Sequence, residues 1–210
     1  MKPVSSVFAR AVAVFAVSFA GLATPVLAQD SARIEQHGEG FQATIEQIST
    51  AGNNHAAVYQ GSGWYTGYGN QASVMQRNVS GSQVEMFQSG SGNNYRVAQY
   101  DGWNLSARVN VESSWNGESG GNDNQIMIEQ SGYDSLASVE QKNSAYSRAE
   151  IWQNGMGWNG GGGNRAEIIQ LGINNQASIQ QSGSNFSASI VQQSQGGYGN
   201  TAMIRQGMGY

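Results

Sequence analysis

The stretch Asn164-Arg-Ala-Glu-Ile-Ile-Gln-Leu-Gly-Ile-Asn-Asn-Gln-Ala-Ser-Ile-Gln-Gln181 contains two successive copies of one unit, Asn-x-Ala-x-Ile-x-Gln. Within each copy Asn, Ala, Ile and Gln recur at every second position. A period of two belongs to a β-strand, whose successive side chains point to opposite faces. A helix would scatter the same four residues around its circumference. The alternate sites hold Arg165, Glu167 and Ile169 in one copy and Gln176, Ser178 and Gln180 in the other, so only one face is constant. That face is predicted to be buried.

Clear copies recur at Asn70–Gln76 and Asn200–Gln206, and alignment on the final residue gives fourteen in all. They end at Gln36, Gln47, Gln60, Gln76, Gln88, Gln99, Val111, Gln130, Gln141, Gln153, Gln170, Gln181, Gln192 and Gln206, so Val111 alone departs from Gln. Two residues earlier stand Ile34, Ile45, Val58, Val74, Met86, Val97, Val109, Ile128, Val139, Ile151, Ile168, Ile179, Ile190 and Ile204. All are apolar and all but Met86 are β-branched, which suits a packed, pleated surface. Two residues earlier again, from Ala32 to Ala202, the site is Ala except at Val84, Tyr95 and Ile126.

Ten of the thirteen intervals between successive copies are 11 to 14 residues. A strand of about five to seven residues and a short Gly/Asn turn fill that spacing, and a coil of two strands repeats in the range typical of solenoids. The predicted fold is all-β: a parallel two-sheet β-solenoid of strand-turn-strand repeats, about seven coils over residues 29–210. Stacked at about 4.8 Å per coil, it would be roughly 30–35 Å long. Stacking also explains a polar inner face, because each Gln amide can donate to the Gln of the neighbouring coil. The stack is expected to be weakest where Val111 interrupts the Gln row and Tyr95 overfills an Ala site. Insertions at Gly61–Gly69, Glu112–Gly121 and Gly155–Gly163 are expected to bulge from the rim. On the outer face Glu85 and Arg108 fall at equivalent sites of adjacent coils and are expected to pair.

Residues 1–28 read differently. Lys2 and Arg10 precede an apolar stretch from Ala11 to Ala23, and Val26-Leu-Ala28 ends in small residues. This is the pattern of a secretory signal peptide cleaved after Ala28, and the stretch is short for a membrane span. Residues 29–210 carry eight basic and fourteen acidic side chains, hence a formal charge of −6. A chain so acidic is a poor match for nucleic acid. It has no cysteine, so neither disulfides nor thiolate metal sites are available.

The repeats run from Ala32 to Gln206 without a proline or a charge cluster to close either end. Solenoids ordinarily cap their terminal coils, since bare strand edges invite further pairing. The end coils, with Ala32, Ile34 and Gln36 at one end and Ala202, Ile204 and Gln206 at the other, are therefore expected to be polymerisation surfaces. A head-to-tail contact that does not close produces a filament.

The segment Gln88-Ser-Gly-Ser-Gly-Asn-Asn-Tyr-Arg-Val-Ala-Gln99 resembles the curlin repeat, Gln-x-Gly-x-Gly-Asn-x-Ala-x3-Gln, with Tyr95 in place of Ala. Gln170–Gln181 and the copy ending at Gln192 are similar to it, with Asn for the second Gly. The resemblance spans residues 29–210 and implies an extracellular functional amyloid of curli type. Its main partner would be itself, in a homopolymeric fibre of the cell surface and biofilm matrix. It further implies a nucleator or major-subunit counterpart, an outer-membrane secretion pore and accessory export factors. Major subunits carry a Gly-rich targeting stretch before the first repeat, which this chain lacks; the fibre subunit is the favoured role and the nucleator the alternative.

Catalytic and cofactor chemistry find little footing. His37 and His55 are the two imidazoles, neither beside a nucleophile motif, and no catalytic, cofactor or metal site is expected. Gly120–Asn124 reads as a plain turn and Gly155–Gly163 lacks the Lys of a phosphate loop. Trp64, Trp103, Trp115 and Trp158 are assigned to turns or insertions and Trp152 to an outward strand site. Stacked carboxylates at Glu35, Glu46, Glu129 and Glu140 read as solvating gatekeepers. The rival class is a monomeric β-solenoid adhesin or ligand binder.

Overall fold

The computed structural model of the chain describes residues 12–17, 30–48, 52–61, 67–112, 123–155, 163–194 and 198–207. These form strands β1 (Val12–Val17), β2 (Ser31–Gln36), β3 (Gly38–Glu39), β4 (Gln42–Ile48), β5 (His55–Gln60), β6 (Gly67–Tyr68), β7 (Gln71–Ser80), β8 (Gln83–Gln88) and β9 (Asn94–Trp103). There follow β10 (Ser106–Glu112), β11 (Gln125–Tyr133), β12 (Leu136–Ala145), β13 (Arg148–Asn154), β14 (Arg165–Ile173), β15 (Gln176–Ser182), β16 (Ser187–Gln193) and β17 (Thr201–Gly207). No helix occurs among the described residues.

Two parallel sheets result, because each strand pairs with the strand one coil away and not with its chain neighbour. The long sheet runs β1-β4-β7-β9-β11-β13-β15-β17 and the short sheet β2-β5-β8-β10-β12-β14-β16. Each of the seven coils in residues 30–207 supplies one strand to each sheet, first the short, then the long. The fold is a parallel two-sheet β-solenoid. Its register superimposes Ala on Ala, Ile on Ile and Gln on Gln, as in Ala149↔Ala177, Ile151↔Ile179 and Gln153↔Gln181. Between the sheets lies one continuous apolar seam, from Ala43, Ile45 and Val58 through Ile128 and Val139 to Ala188 and Ile190. At about 1.5–3 kcal/mol for each fully buried larger side chain, this seam is the main favourable term.

Three features differ from the sequence reading. β7, β9 and β12 each have ten residues, beyond the expected five to seven, because pairing continues past the Gln into stacked turns. Those turns seat Asn78, Asp101, Asn104 and Asp134 at positive φ, and their side chains join coil to coil as Asn78–Asp101 and Asn104–Asp134 hydrogen bonds of 2.9 Å. Next, β3 and β6 form a small ribbon outside the two main sheets. Finally, Val12–Val17, inside the expected signal segment, is a strand in parallel register with Gln42–Gln47 of β4. The cleavage position after Ala28, Trp64, Trp115, Trp158, residues 120–122 and most of the three insertions lie outside the described residues.

Candidate assembly interface

The inner rows are where the sequence placed them. Ile45, Val58, Val74, Val97, Ile128, Val139, Ile151, Ile168 and Ile179 are at most 2% exposed. Gln47, Gln60, Gln76, Gln88, Gln99, Gln130, Gln141, Gln153, Gln170, Gln181 and Gln192 are also buried. The end-coil residues differ: Ala32, Ile34, Ala202 and Ile204 pack against the core yet stay half-exposed, and Gln36 and Gln206 are half-buried.

Glutamines join into rows through Nε2–H donated to the Oε1 of the next coil. The long sheet carries an unbroken row, Gln47→Gln76→Gln99→Gln130→Gln153→Gln181→Gln206, at 2.8–3.0 Å. In the short sheet the row is Gln36→Gln60→Gln88, then a gap, then Gln141→Gln170→Gln192, at 2.5–3.0 Å. The gap is Val111, which lies in register between Gln88 and Gln141. The Oε1 of Gln141 is buried without a partner, and so is the hydroxyl of Tyr95. Both expected weak points therefore hold orphaned polar atoms. Burial also pushes the Tyr95 phenol well above its ordinary pKa.

Each Nε2 has a second hydrogen, and the sequence reading did not foresee its use. Eleven glutamines direct it across the core to the carbonyl of the first residue of a facing strand, at 3.0–3.4 Å; examples are Gln99 to Gln83, Gln153 to Leu136 and Gln192 to Gln176. Glutamine thus ties coil to coil and sheet to sheet. The double role also fixes each amide's orientation, since only the NH2 end can donate to a carbonyl.

Asparagine does something else. Its Oδ1 accepts a backbone N–H of the next coil, as Asn70 does from Asn93, Asn93 from Asn124 and Asn124 from Ser147, each at 3.0 Å. Its Nδ2 donates to a turn carbonyl, for instance Asn124 to Ser144 and Asn164 to Gly183. Ser82, Ser135 and Ser147 take the same place with a hydroxyl. These serines break the Asn spelling of the repeat, and only their position four residues before the Ala/Ile pair's second member could have flagged them.

The outer face is sparsely charged. Glu85 and Arg108 are in register as expected, but no ion pair joins them. Both side chains are exposed, and solvation competes effectively with so weak an attraction. The ion pairs found include Arg33–Glu35, Lys142–Glu140 and Arg148–Glu150, and His37 hydrogen-bonds Glu35 at 3.0 Å. Hydrogen bonds from His37 and Arg33 hold the Glu35 carboxyl below its ordinary pKa, while Glu140 and Glu112 raise that of Lys142. His55 bonds Ser31 at 2.7 Å. Glu35, Glu46, Glu129 and Glu140 do not stack on one another: their register neighbours are Tyr59, Ala16 with Met75, Ala98 with Trp152, and Asn110 with Ile169. Trp103 ends strand β9, not a turn, and sets its ring edge-on to Tyr133. Trp152 faces outward.

No protein-family model matches the chain, and neither the curated proteins nor the solved structures give a match.

Proposed function

We propose that the chain is a structural subunit of an extracellular amyloid fibre of curli type, polymerising head to tail through its end coils and serving biofilm matrix and surface attachment. One observation carries the reading. The two ends of the stack present the same inner rows, Ala32/Ile34/Gln36 and Ala202/Ile204/Gln206, packed on the core but left half-exposed. A strand edge of that kind favours a further parallel strand in the register every internal coil already uses.

The reading concerns the chain from Gln29 onward, in which β4 is the outer strand of the long sheet. In the full chain β1 lies against that edge. The curlin resemblance adds export through an outer-membrane pore with accessory factors, and a nucleator counterpart, to the same proposal.

Incubating the exported protein in dilute buffer tests it. Thioflavin-positive filaments that grow after a lag, with the lag removed by seeds, are the expected result. A lasting monomer by light scattering would overturn the reading and favour a solitary adhesin.

A further inference from the structure

Resting on that fibre reading, we propose that Gln36 is the socket of the junction between copies: it accepts from Gln192 and donates to the Thr201 carbonyl of the preceding copy. Each glutamine bond along the two rows has its donor in the coil nearer the N-terminus and its acceptor in the coil nearer the C-terminus. The rows are therefore polar. An acceptor waits at the N-terminal end, a donor would have to come from before it, and two like ends cannot complete each other.

Gln36 shows the vacancy directly. Its Oε1 is buried and has no partner, which among the described glutamines is true elsewhere only of Gln141. At Gln141 the cause is visible, because Val111 stands where a donor belongs. At Gln36 the donor is missing because, among the described residues, no strand of the short sheet precedes β2. Its Nε2 is likewise underused. Gln60, Gln88, Gln170 and Gln192 of the same sheet each donate to the first residue of the long-sheet strand in the coil before, namely Gln42, Gln71, Arg148 and Gln176, whereas Gln141, beside the Val111 gap, donates only to Gln170. Gln36 donates only to Gln60. By the same rule its missing carbonyl is that of the first residue of β17, Thr201, in another copy.

This register settles the rest of the junction. β16 lies on β2, with Ala188, Ile190 and Gln192 against Ala32, Ile34 and Gln36. β17 lies on β4, with Ala202, Ile204 and Gln206 against Ala43, Ile45 and Gln47. On the outer face Arg205 then meets Glu46, an opposite-charge neighbour pair. The edge of β4 accepts a strand in this register already, since β1 aligns Ala13 with Ala43 and Phe15 with Ile45.

The chain's lack of cysteine makes crosslinking a clean test. Glu46→Cys and Arg205→Cys are combined in the full chain, and the protein recovered after export is polymerised and then oxidised. Within one copy these sites are six strand steps apart, roughly 29 Å. Across the proposed junction they are neighbours at about 4.8 Å, within the span of a disulfide. A ladder of covalent oligomers is expected on a denaturing gel, and none from Glu46→Cys with Gln193→Cys. Gln36→Leu is expected to elongate wild-type seeds roughly tenfold more slowly. Fibres without the 46–205 ladder, or dimers from Glu46→Cys alone, would overturn the register and leave the fibre reading standing. Absence of fibres from the unaltered protein would overturn both.

Discussion

Val111 stands beside Gln141 in the glutamine row of the short sheet, and the Gln141 side-chain oxygen buried there has no hydrogen-bond partner. Everywhere else inside that row a glutamine fills the place, so the gap is a fault in an otherwise repeating device. The Nε2 of Gln88, on the other side of Val111, reaches only the Gln71 carbonyl.

Val111→Gln is expected to close the row by supplying a donor to Gln141 and an acceptor to Gln88. Relieving one buried orphan and adding a second bond is worth about 1–2 kcal/mol. The gain would appear as a higher denaturation midpoint of the soluble chain at unchanged slope. An unchanged or lower midpoint would show that the site cannot seat the longer side chain.

Tyr95 offers the opposite repair, by subtraction. Its ring is fully buried at a site that is Ala in most copies, and its hydroxyl is unpaired. Tyr95→Phe keeps the ring and removes the orphan, so stability should rise or hold at neutral pH. The two chains should part further above about pH 10, the ordinary phenol value. Because burial raises the folded pKa, the unfolded state ionises first, and stability tied to Tyr95 is lost as pH climbs past 10. Denaturation midpoints from pH 8 to 11 should fall more steeply for the unaltered chain than for Tyr95→Phe.

How much of this was legible in the sequence depends on which side chains speak through periodicity alone. The Ile and Gln rows did, because a period of two repeated fourteen times admits one buried face and one register. Val111 and Tyr95 stood out as breaks in those rows for the same reason. The second bond of each glutamine was not legible, since Gln153 and Leu136 are joined only by the distance between two facing sheets. Nor was the asparagine role: Asn124 and Ser147 look unrelated until both are seen holding a backbone N–H of the next coil. The pairing of Val12–Val17 with β4 was hidden because an apolar stretch preceded by Lys2 and Arg10 reads as an export signal, and it lacks the repeat's glutamine.

Glu85 and Arg108 illustrate a register without an energy. They are neighbours on adjacent strands, yet both are solvated and no ion pair forms. Glu85→Lys should therefore shift stability by no more than about 0.5 kcal/mol, and by still less at high salt. Urea denaturation at low and high ionic strength would decide it. A loss of more than about 1 kcal/mol at low salt would mean that the two charges interact in solution after all.

Asn124 is the place to weigh the asparagine bonds, because it is fully buried and both ends of its amide are engaged. Its Oδ1 accepts from the Ser147 N–H at 3.0 Å and from the Ser144 hydroxyl at 3.2 Å, and its Nδ2 donates to the Ser144 carbonyl at 2.9 Å. Asn124→Ala strands those groups inside the rim and should cost on the order of 2–3 kcal/mol. Asn110→Ala, which loses only an exposed bond to Glu112, should stay within about 0.5 kcal/mol. Asn124→Asp separates donor from acceptor. It keeps the Oδ1 bonds but sets a second oxygen against the Ser144 carbonyl, and only the protonated acid can donate there. Its folded pKa is then raised, so the variant should be most stable below the unfolded carboxyl value of about 3.9 and lose stability as pH rises beyond it. A midpoint for Asn124→Asp that instead climbed from pH 3 to 7 would show that the Nδ2 bond contributes nothing to holding the turn.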